Sequence, residues 1–171
     1  MLAVGVEEAL KGSFTPISGG LKTSFEYVEL PYLKVMTPEE LQALTTDQGI
    51  KGRWSRRLLK KLENGHKFES AYPYPIHAWQ LGKETLFIGM GAETVVDYAL
   101  KFKAEFGEST WVMGYADDMI SYIPSRRVWE EGGYEGGYNL YEYGRPAMRW
   151  DGEIENLITK TVHKLVKQVK E

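Results

Sequence analysis

Two runs of β-favouring residues on either side of a short turn are the feature that most constrains the fold of this chain. Ile76 to Leu81 and Glu84 to Met90 flank Gly82-Lys83, a pair typical of tight turns, so the sequence predicts an antiparallel hairpin. Tyr72-Pro73-Tyr74-Pro75 comes before it and is not helical, because each proline pushes the residue before it into an extended conformation. This stretch predicts a rigid approach to the first strand of the hairpin.

Further strands and amphipathic helices are predicted on both sides of the hairpin. Alternation of apolar and polar residues indicates strands, and apolar residues at helical spacing indicate helices. We therefore expect an α+β (mixed α/β) fold in a single domain covering residues 1–171, with the hairpin and further strands packed against amphipathic helices. The predicted strands are 24–30 and 110–114, and the predicted helices are 2–11, 37–44, 52–63, 93–106 and a last helix that begins at Asp151.

Composition and charge exclude several classes of function. The net charge of −3 argues against bulk electrostatic capture of nucleic acid. The basic stretch Arg53 to Lys61 has helical spacing and is typical of the solvated face of a helix. No apolar run approaches the roughly 20 residues of a membrane span, and the first ten residues lack the basic flank of a signal peptide. The absence of cysteine excludes disulfides and thiolate metal sites, and the compartment stays unassigned.

Two groups of carboxylates are candidates for chemistry. Glu93 stands where a predicted strand ends and a helix begins, a position from which a side chain can project into a cleft. A glutamate in the first turn of a helix is also favoured by the helix dipole alone. Asp117-Asp118 follows a predicted strand and could bind a cation, although adjacent acids in a loop more often cap the backbone or face solvent.

The segment from Asp117 to Met148 has little periodicity and is rich in glycine and tyrosine, which indicates a long ordered loop with a function. Within it, Tyr122 is either a core residue or a ligand. The stretch from Gly132 to Tyr138 pairs glycines with tyrosines, so the backbone there can pass close to a ligand or form a tight aromatic loop. It lacks the spacing of a phosphate-binding loop.

The remaining polar residues complete no catalytic set. None of His66, His77 and His163 forms the i, i+4 pair of a helix-borne zinc site, so each is expected to be structural or solvated. No serine has the sequence context of an activated nucleophile. From residue types alone, the chain offers part of a site rather than a whole one.

The motifs occur in an order that resembles the neutral/alkaline non-lysosomal ceramidase family over nearly the entire chain. The resemblance extends to Tyr72-Pro73-Tyr74-Pro75 and to the Ile123-Pro124-Ser125-Arg126-Arg127 run typical of bacterial ceramidase-like proteins. Each motif alone is weak, but the combination is specific. The motifs are Gly91-Ala92-Glu93 before a helix, Gly114-Tyr115-Ala116-Asp117, Tyr122-Ile123-Pro124 and Gly133-Tyr134-Glu135-Gly136.

The resemblance implies a zinc-dependent amidohydrolase acting on the N-acyl amide bond of ceramide or a related lipid. It implies that Glu93 and Tyr122 are metal ligands and that Tyr134 is a catalytic residue that binds the reacting carbonyl. Two sequence positions depart from the family pattern: Ala92 stands where glycine is usual, and Asp117 where asparagine is usual. The family's two zinc-binding histidines and its serine lie in an upstream half that has no counterpart in these residues.

We therefore expect this chain to be the C-terminal portion of a ceramidase-like catalytic domain and to be inactive alone. The abrupt start of the first predicted helix favours the same interpretation. Zinc is the expected cofactor of the complete site, and self-association through surface left uncovered is expected as a consequence. The alternative is a non-catalytic binding module that uses the aromatic loop from Tyr134 to Tyr143 as its recognition surface.

Overall fold

The predicted hairpin lies within a four-stranded mixed sheet in the computed structural model, which describes residues 2–14 and 16–171. The fold is α+β, as the sequence predicts. The sheet has the order β1-β2-β3-β5, with β3 and β5 parallel and the other neighbours antiparallel, and β4 and β6 form a separate parallel pair. The strands are β1 (Leu21–Pro31), β2 (Ala71–Leu81), β3 (Thr85–Met90), β4 (Glu93–Thr94), β5 (Trp111–Met113) and β6 (Tyr122–Ile123), and the helices are α1 (Leu2–Lys11), α2 (Pro38–Leu44), α3 (Ile50–Glu63), α4 (Val96–Phe106), α5 (Arg126–Glu131) and α6 (Ile154–Lys170).

The proline-rich approach to the hairpin belongs to β2 itself, which corrects the sequence-based prediction. Pro73 and Pro75 pair with Glu29 and Tyr27 of β1, while β3 extends only as far as Met90, opposite Ile76. Apart from the Gly91 N–H, which donates to the Pro75 carbonyl at 3.2 Å, this end of β2 is therefore paired on the β1 side only. A proline lacks the N–H that a ladder needs and is tolerated where that N–H would face an open edge.

Helix α6 covers one face of the sheet. Side chains alternate between the faces of a strand, and in β1 the even-numbered residues point toward α6. The Ser24 hydroxyl donates to Gln168, and the Glu26 carboxylate lies 2.5 Å from the Lys164 ammonium. The core between helix and sheet is apolar, with Ile76 fully buried.

Helices α2 and α3 form a second small apolar cluster, built on the buried side chains of Leu41, Trp54 and Leu58. Helix α2 begins with a capping box: the Thr37 side chain accepts from the Glu40 backbone N–H, and the Glu40 carboxylate accepts from the Thr37 N–H. The Trp54 indole donates to a carbonyl of the long loop 91 residues further along. This contact joins the cluster to the segment that carries the candidate site.

The terminal helices differ in their packing. α6 begins at Ile154 rather than at the predicted Asp151, whose carboxylate instead accepts a hydrogen bond from the Glu153 N–H at 2.9 Å. α1 has the predicted bounds, yet none of its residues is buried. Among the residues that the structure describes, no helix is long and apolar enough to cross a membrane.

Candidate functional site

The two residues expected to bind metal, Glu93 and Tyr122, lie side by side on the parallel strands β4 and β6. The Glu93 N–H donates to the Ser121 carbonyl at 3.1 Å, and the Val95 N–H donates to the Ile123 carbonyl at 3.3 Å. These backbone bonds hold the two strands in register. The structure thus brings together two side chains that are 29 positions apart in the sequence.

The prediction that Glu93 opens a helix is wrong. Pairing with β6 keeps Glu93 and Thr94 extended, so α4 begins at Val96 and the acidic residue of its first turn is Asp97. The helix dipole therefore does not explain a carboxylate at position 93. The Asp97 carboxylate pairs with Arg127, whose hydrogen bond holds the pKa of Asp97 below its ordinary value.

The Glu93 carboxylate raises the pKa of two neighbouring tyrosines, Tyr115 and Tyr122. Hydrogen bonding to Glu93 raises the pKa of Tyr115 to about 12, because ionising the phenol would place two negative charges together. Burial, followed by the charge of Glu93 and hydrogen bonding to it, raises the pKa of Tyr122. Both phenols therefore stay protonated at neutral pH and can donate to the carboxylate.

Tyr115 is a site residue that reasoning from residue types missed. It directly follows the predicted strand 110–114, and the end of a strand is a common position for functional side chains. Its side chain is 57% exposed, so its hydroxyl is accessible to solvent while it contacts Glu93. The position just beyond a strand was the available signal, and nothing in the local residue pattern separates Tyr115 from the other tyrosines.

The backbone around the site is strained. A non-glycine residue with positive φ costs on the order of 1 kcal/mol or more, and such residues cluster at functional sites. All four of those in the described part of the chain lie in the turns that bring β4, β6 and the loop after β5 together. They are Ala92 (57°), Tyr115 (59°), Asp117 (69°) and Ser121 (140°).

Short backbone hydrogen bonds hold these strained turns in place. The Tyr115 N–H donates to the Ala92 carbonyl at 2.7 Å, and the Ala92 N–H donates to the Asp118 carbonyl at 2.7 Å. Gly114 is required at this crossing, because a Cβ there would lie 2.9 Å from the Thr94 hydroxyl. The close approach explains how Tyr115 reaches Glu93.

Tyr134, the residue expected to bind the reacting carbonyl, packs edge-to-face against Tyr122 with ring centroids 5.2 Å apart. Its side chain is 59% exposed, so the hydroxyl is open to a ligand. A cavity of about 220 Å³ lies beside this cluster and is lined by Glu93, Tyr122 and Glu135 among others. The three residues that the resemblance implies for the site therefore form one contiguous cluster.

A buried arginine holds the loop that carries Tyr134. The Arg149 guanidinium donates to the carbonyls of Gly136 (3.1 Å) and Trp129. It also lies over two aromatic rings, with its central carbon 3.8 Å from the Trp129 centroid and 4.4 Å from the Tyr138 centroid. The glycine- and tyrosine-rich stretch is thus ordered by the Arg149 side chain rather than by secondary structure.

Asp117 and Asp118 have separate partners. The Asp117 carboxylate lies 2.5 Å from Nε2 of His77, and the Asp118 carboxylate accepts a hydrogen bond from the Tyr72 hydroxyl. Asp118 also accepts from the Met119 N–H at 2.6 Å, which is a local backbone contact. These contacts favour a structural role for the two acids over a shared cation.

The histidines make their contacts elsewhere. His163 pairs with Glu105 at 2.7 Å, His66 packs against Phe68, and His77 pairs with Asp117. Over residues 2–14 and 16–171, no group of three or more His, Cys, Asp or Glu side chains comes together as a metal site. A protein zinc site takes four ligands, at least three of them from side chains in known catalytic sites. Glu93 and Tyr122 would therefore provide two of the four ligands of such a site, and other groups would have to provide the rest.

Comparison with known proteins adds no assignment: no family model, no curated protein and no solved structure matches this chain.

Proposed function

We propose that this chain supplies the glutamate and tyrosine side of a zinc-dependent amidohydrolase site that cleaves the N-acyl amide bond of ceramide or a related lipid. The observation that carries the proposal is the pairing of Glu93 with Tyr122 across two short parallel strands, with Tyr134 packed against them. Residue types alone gave no reason for these three side chains to meet. The resemblance to the ceramidase family gives such a reason.

Each side chain has a role that its surroundings support. Glu93 and Tyr122 line the same cavity and can offer oxygen ligands there, and Tyr115, whose pKa hydrogen bonding to Glu93 raises, can donate to that carboxylate. The exposed Tyr134 hydroxyl donates to the oxygen of the amide carbonyl as negative charge develops there. Zinc, when bound, would polarise that carbonyl and lower the pKa of a bound water or nucleophile.

The proposal predicts a chain that is inactive by itself, because two ligands do not make a tight zinc site and no activated nucleophile lies in the cluster. Zinc added to the isotope-labelled chain is expected to bind weakly and to shift NMR resonances of Glu93 and Tyr122. Glu93→Gln removes these shifts, whereas Glu63→Gln, on the exposed end of α3, leaves them unchanged.

Two results would contradict the half-site. One is zinc-induced shifts that persist in Glu93→Gln and centre on the histidines. The other is hydrolysis of N-acyl sphingosine by the isolated chain at a zinc-dependent rate that Glu93→Gln abolishes, because that result would mean the site is complete.

The exposure of the loop also favours a second candidate function, a non-catalytic binding module. Tyr134 and Tyr138 are each more than half exposed, and exposed aromatic groups commonly mark binding surfaces. Loss of lipid binding in Tyr138→Ala, with no effect of zinc or of Glu93→Gln, would support the module over the half-site.

A further inference from the structure

Over residues 2–14 and 16–171, no helix or strand forms a layer over the face of the sheet opposite α6, and much of that face is apolar. Because β1 points Ser24 and Glu26 toward α6, its odd-numbered side chains point the other way, and the register carries the same face across β2, β3 and β5. We name this surface the outer face and define it by six side chains that lie on it. They are Leu21, Phe25, Tyr27, Trp79, Phe87 and Trp111.

The outer face is aromatic along its middle, and its polar residues are Thr23, His77 and Thr85 among the rings and Glu29 near the end of β1. A row of paired residues crosses all four strands from Thr23 through Trp79 and Phe87 to Trp111, and it contains no charged side chain. Antiparallel sheets with one face in water usually alternate apolar and polar residues, with the polar ones outward. Here three of the four residues in the row are aromatic instead.

The aromatic rings on the outer face are ordered against one another and still largely exposed. Phe25 lies 4.8 Å from Tyr27 and 4.6 Å from His77 between ring centroids, and Phe87 stacks on Trp111. Trp111 is 61% exposed, Tyr27 59%, Phe25 46% and Trp79 41%. A contiguous exposed patch of this kind marks an interaction surface.

The size and charge of the outer face fit a second copy of the chain. Full burial of an aromatic side chain removes about 150–250 Å² from water, so the exposed parts of these rings together with Leu21 come to about 500 Å² per copy. Two copies would bury about 1,000 Å² in total, the lower limit for a specific interface. A face without charge in its central row can meet its own copy across a two-fold axis without opposing like charges.

We propose that the outer face is a self-association surface through which two copies of this chain pack their sheets face to face around a two-fold axis. The inference rests on the sheet alone and holds whether or not the proposed amidase site is correct. Two sheets packed in this way form an apolar layer about 10 Å thick, to which the Trp79 and Trp111 rings contribute a large share of the contact. An interface at the lower size limit predicts a dimer that dissociates on dilution.

Light scattering coupled to size exclusion, from about 1 to 200 µM chain, tests the surface. The wild type is expected to shift from monomer to dimer across this range, with a blue shift of tryptophan emission. Trp111→Asp and Tyr27→Asp, on opposite edge strands, each place carboxylates in the interface and should weaken dimerisation by about tenfold or more. Leu100→Asp is the matched control, since Leu100 is 64% exposed on α4. Far-UV circular dichroism checks that each variant folds.

Three results would overturn the proposal. The first is a wild-type chain that stays monomeric over the whole range, which would leave the outer face to a partner of different chemistry. The second is a dimer that Leu100→Asp weakens as much as Trp111→Asp does. The third is a dimer that is lost in Val6→Asp, on α1, and kept in Trp111→Asp and Tyr27→Asp. That result would place the interface on the exposed first helix.

Discussion

Replacing Arg149 by methionine should loosen the loop that carries Tyr134 and lower the stability of the whole chain. The arginine is 9% exposed and donates to the carbonyls of Gly136 and Trp129. Methionine keeps the length of the side chain and removes every donor. The two carbonyls then lose their partners inside the protein, and the rings that sandwich the guanidinium lose its charge.

The size of the effect follows from the contacts. Hydrogen bonds from a charged donor contribute about 1.5–3 kcal/mol each, and a desolvated cation–π contact adds about 2 kcal/mol. Removing the buried charge offsets part of this loss, because the guanidinium no longer has to be stripped of water. We therefore expect Arg149→Met to lower the free energy of unfolding by about 2–4 kcal/mol, a large fraction of the stability of an ordinary domain.

Urea denaturation followed by tryptophan fluorescence measures this loss, and hydrogen exchange of residues 132–138 measures the loosening of the loop. Arg149→Lys should fall between wild type and Arg149→Met, because lysine keeps the charge but not the planar fork. Arg53→Met, at an exposed position of α3, should change stability by less than about 0.5 kcal/mol. A loss in Arg149→Met as small as that of Arg53→Met, with unchanged exchange in the loop, would refute the anchoring role.

Two further predictions concern the geometry of the site. The pKa of Tyr115, raised from 10.0 to about 12, should fall toward its ordinary value in Glu93→Gln, as measured by NMR of ¹³C-labelled tyrosine, and an unchanged pKa would exclude the Glu93 contact. Because the folded-state pKa is the higher one, the stability that this contact contributes is present below pH 10.0 and is lost as the pH rises to about 12. Gly136→Ala should lower the free energy of unfolding by about 1–3 kcal/mol in urea denaturation, since a Cβ there would lie 2.4 Å from the Gly132 carbonyl oxygen. Gly20→Ala, where a Cβ would meet nothing within 4 Å, should leave stability unchanged, and equal effects of the two substitutions would contradict the close approach at Gly136.

The sheet could largely be predicted from the sequence because its signals are local. The turn at Gly82-Lys83 and the alternation on both sides of it place the hairpin correctly. The sequence does not predict that the two prolines before it belong to the strand, because a strand tolerates them only where a neighbouring strand is missing. The length of β3 decides whether the nitrogen of each proline faces a partner strand or an open edge, and the sequence of β2 does not show that length.

The site was less predictable, because its strands are only two residues long. β4 and β6 carry too few residues for alternation to show, and the apolar residues at helical spacing after Glu93 predict a helix there instead. Their pairing depends on contacts between distant segments. Residue types therefore identify Glu93 and Tyr122 only as separate candidates, and only the resemblance to a family predicts that they belong to one site.

The long segment from Asp117 to Met148 shows how a stretch without periodicity becomes ordered. Its fixed points are tryptophan and arginine side chains whose donors need partners when buried. The fully buried Trp150 donates from its indole to the Tyr122 carbonyl at 3.0 Å, and its own carbonyl accepts from the Trp129 indole at 2.9 Å. Arg149, which lies over the Trp129 ring and is next to Trp150 in sequence, holds the glycine-rich stretch. The core therefore fixes the backbone of Tyr122 beside Glu93, and both side chains line the same cavity.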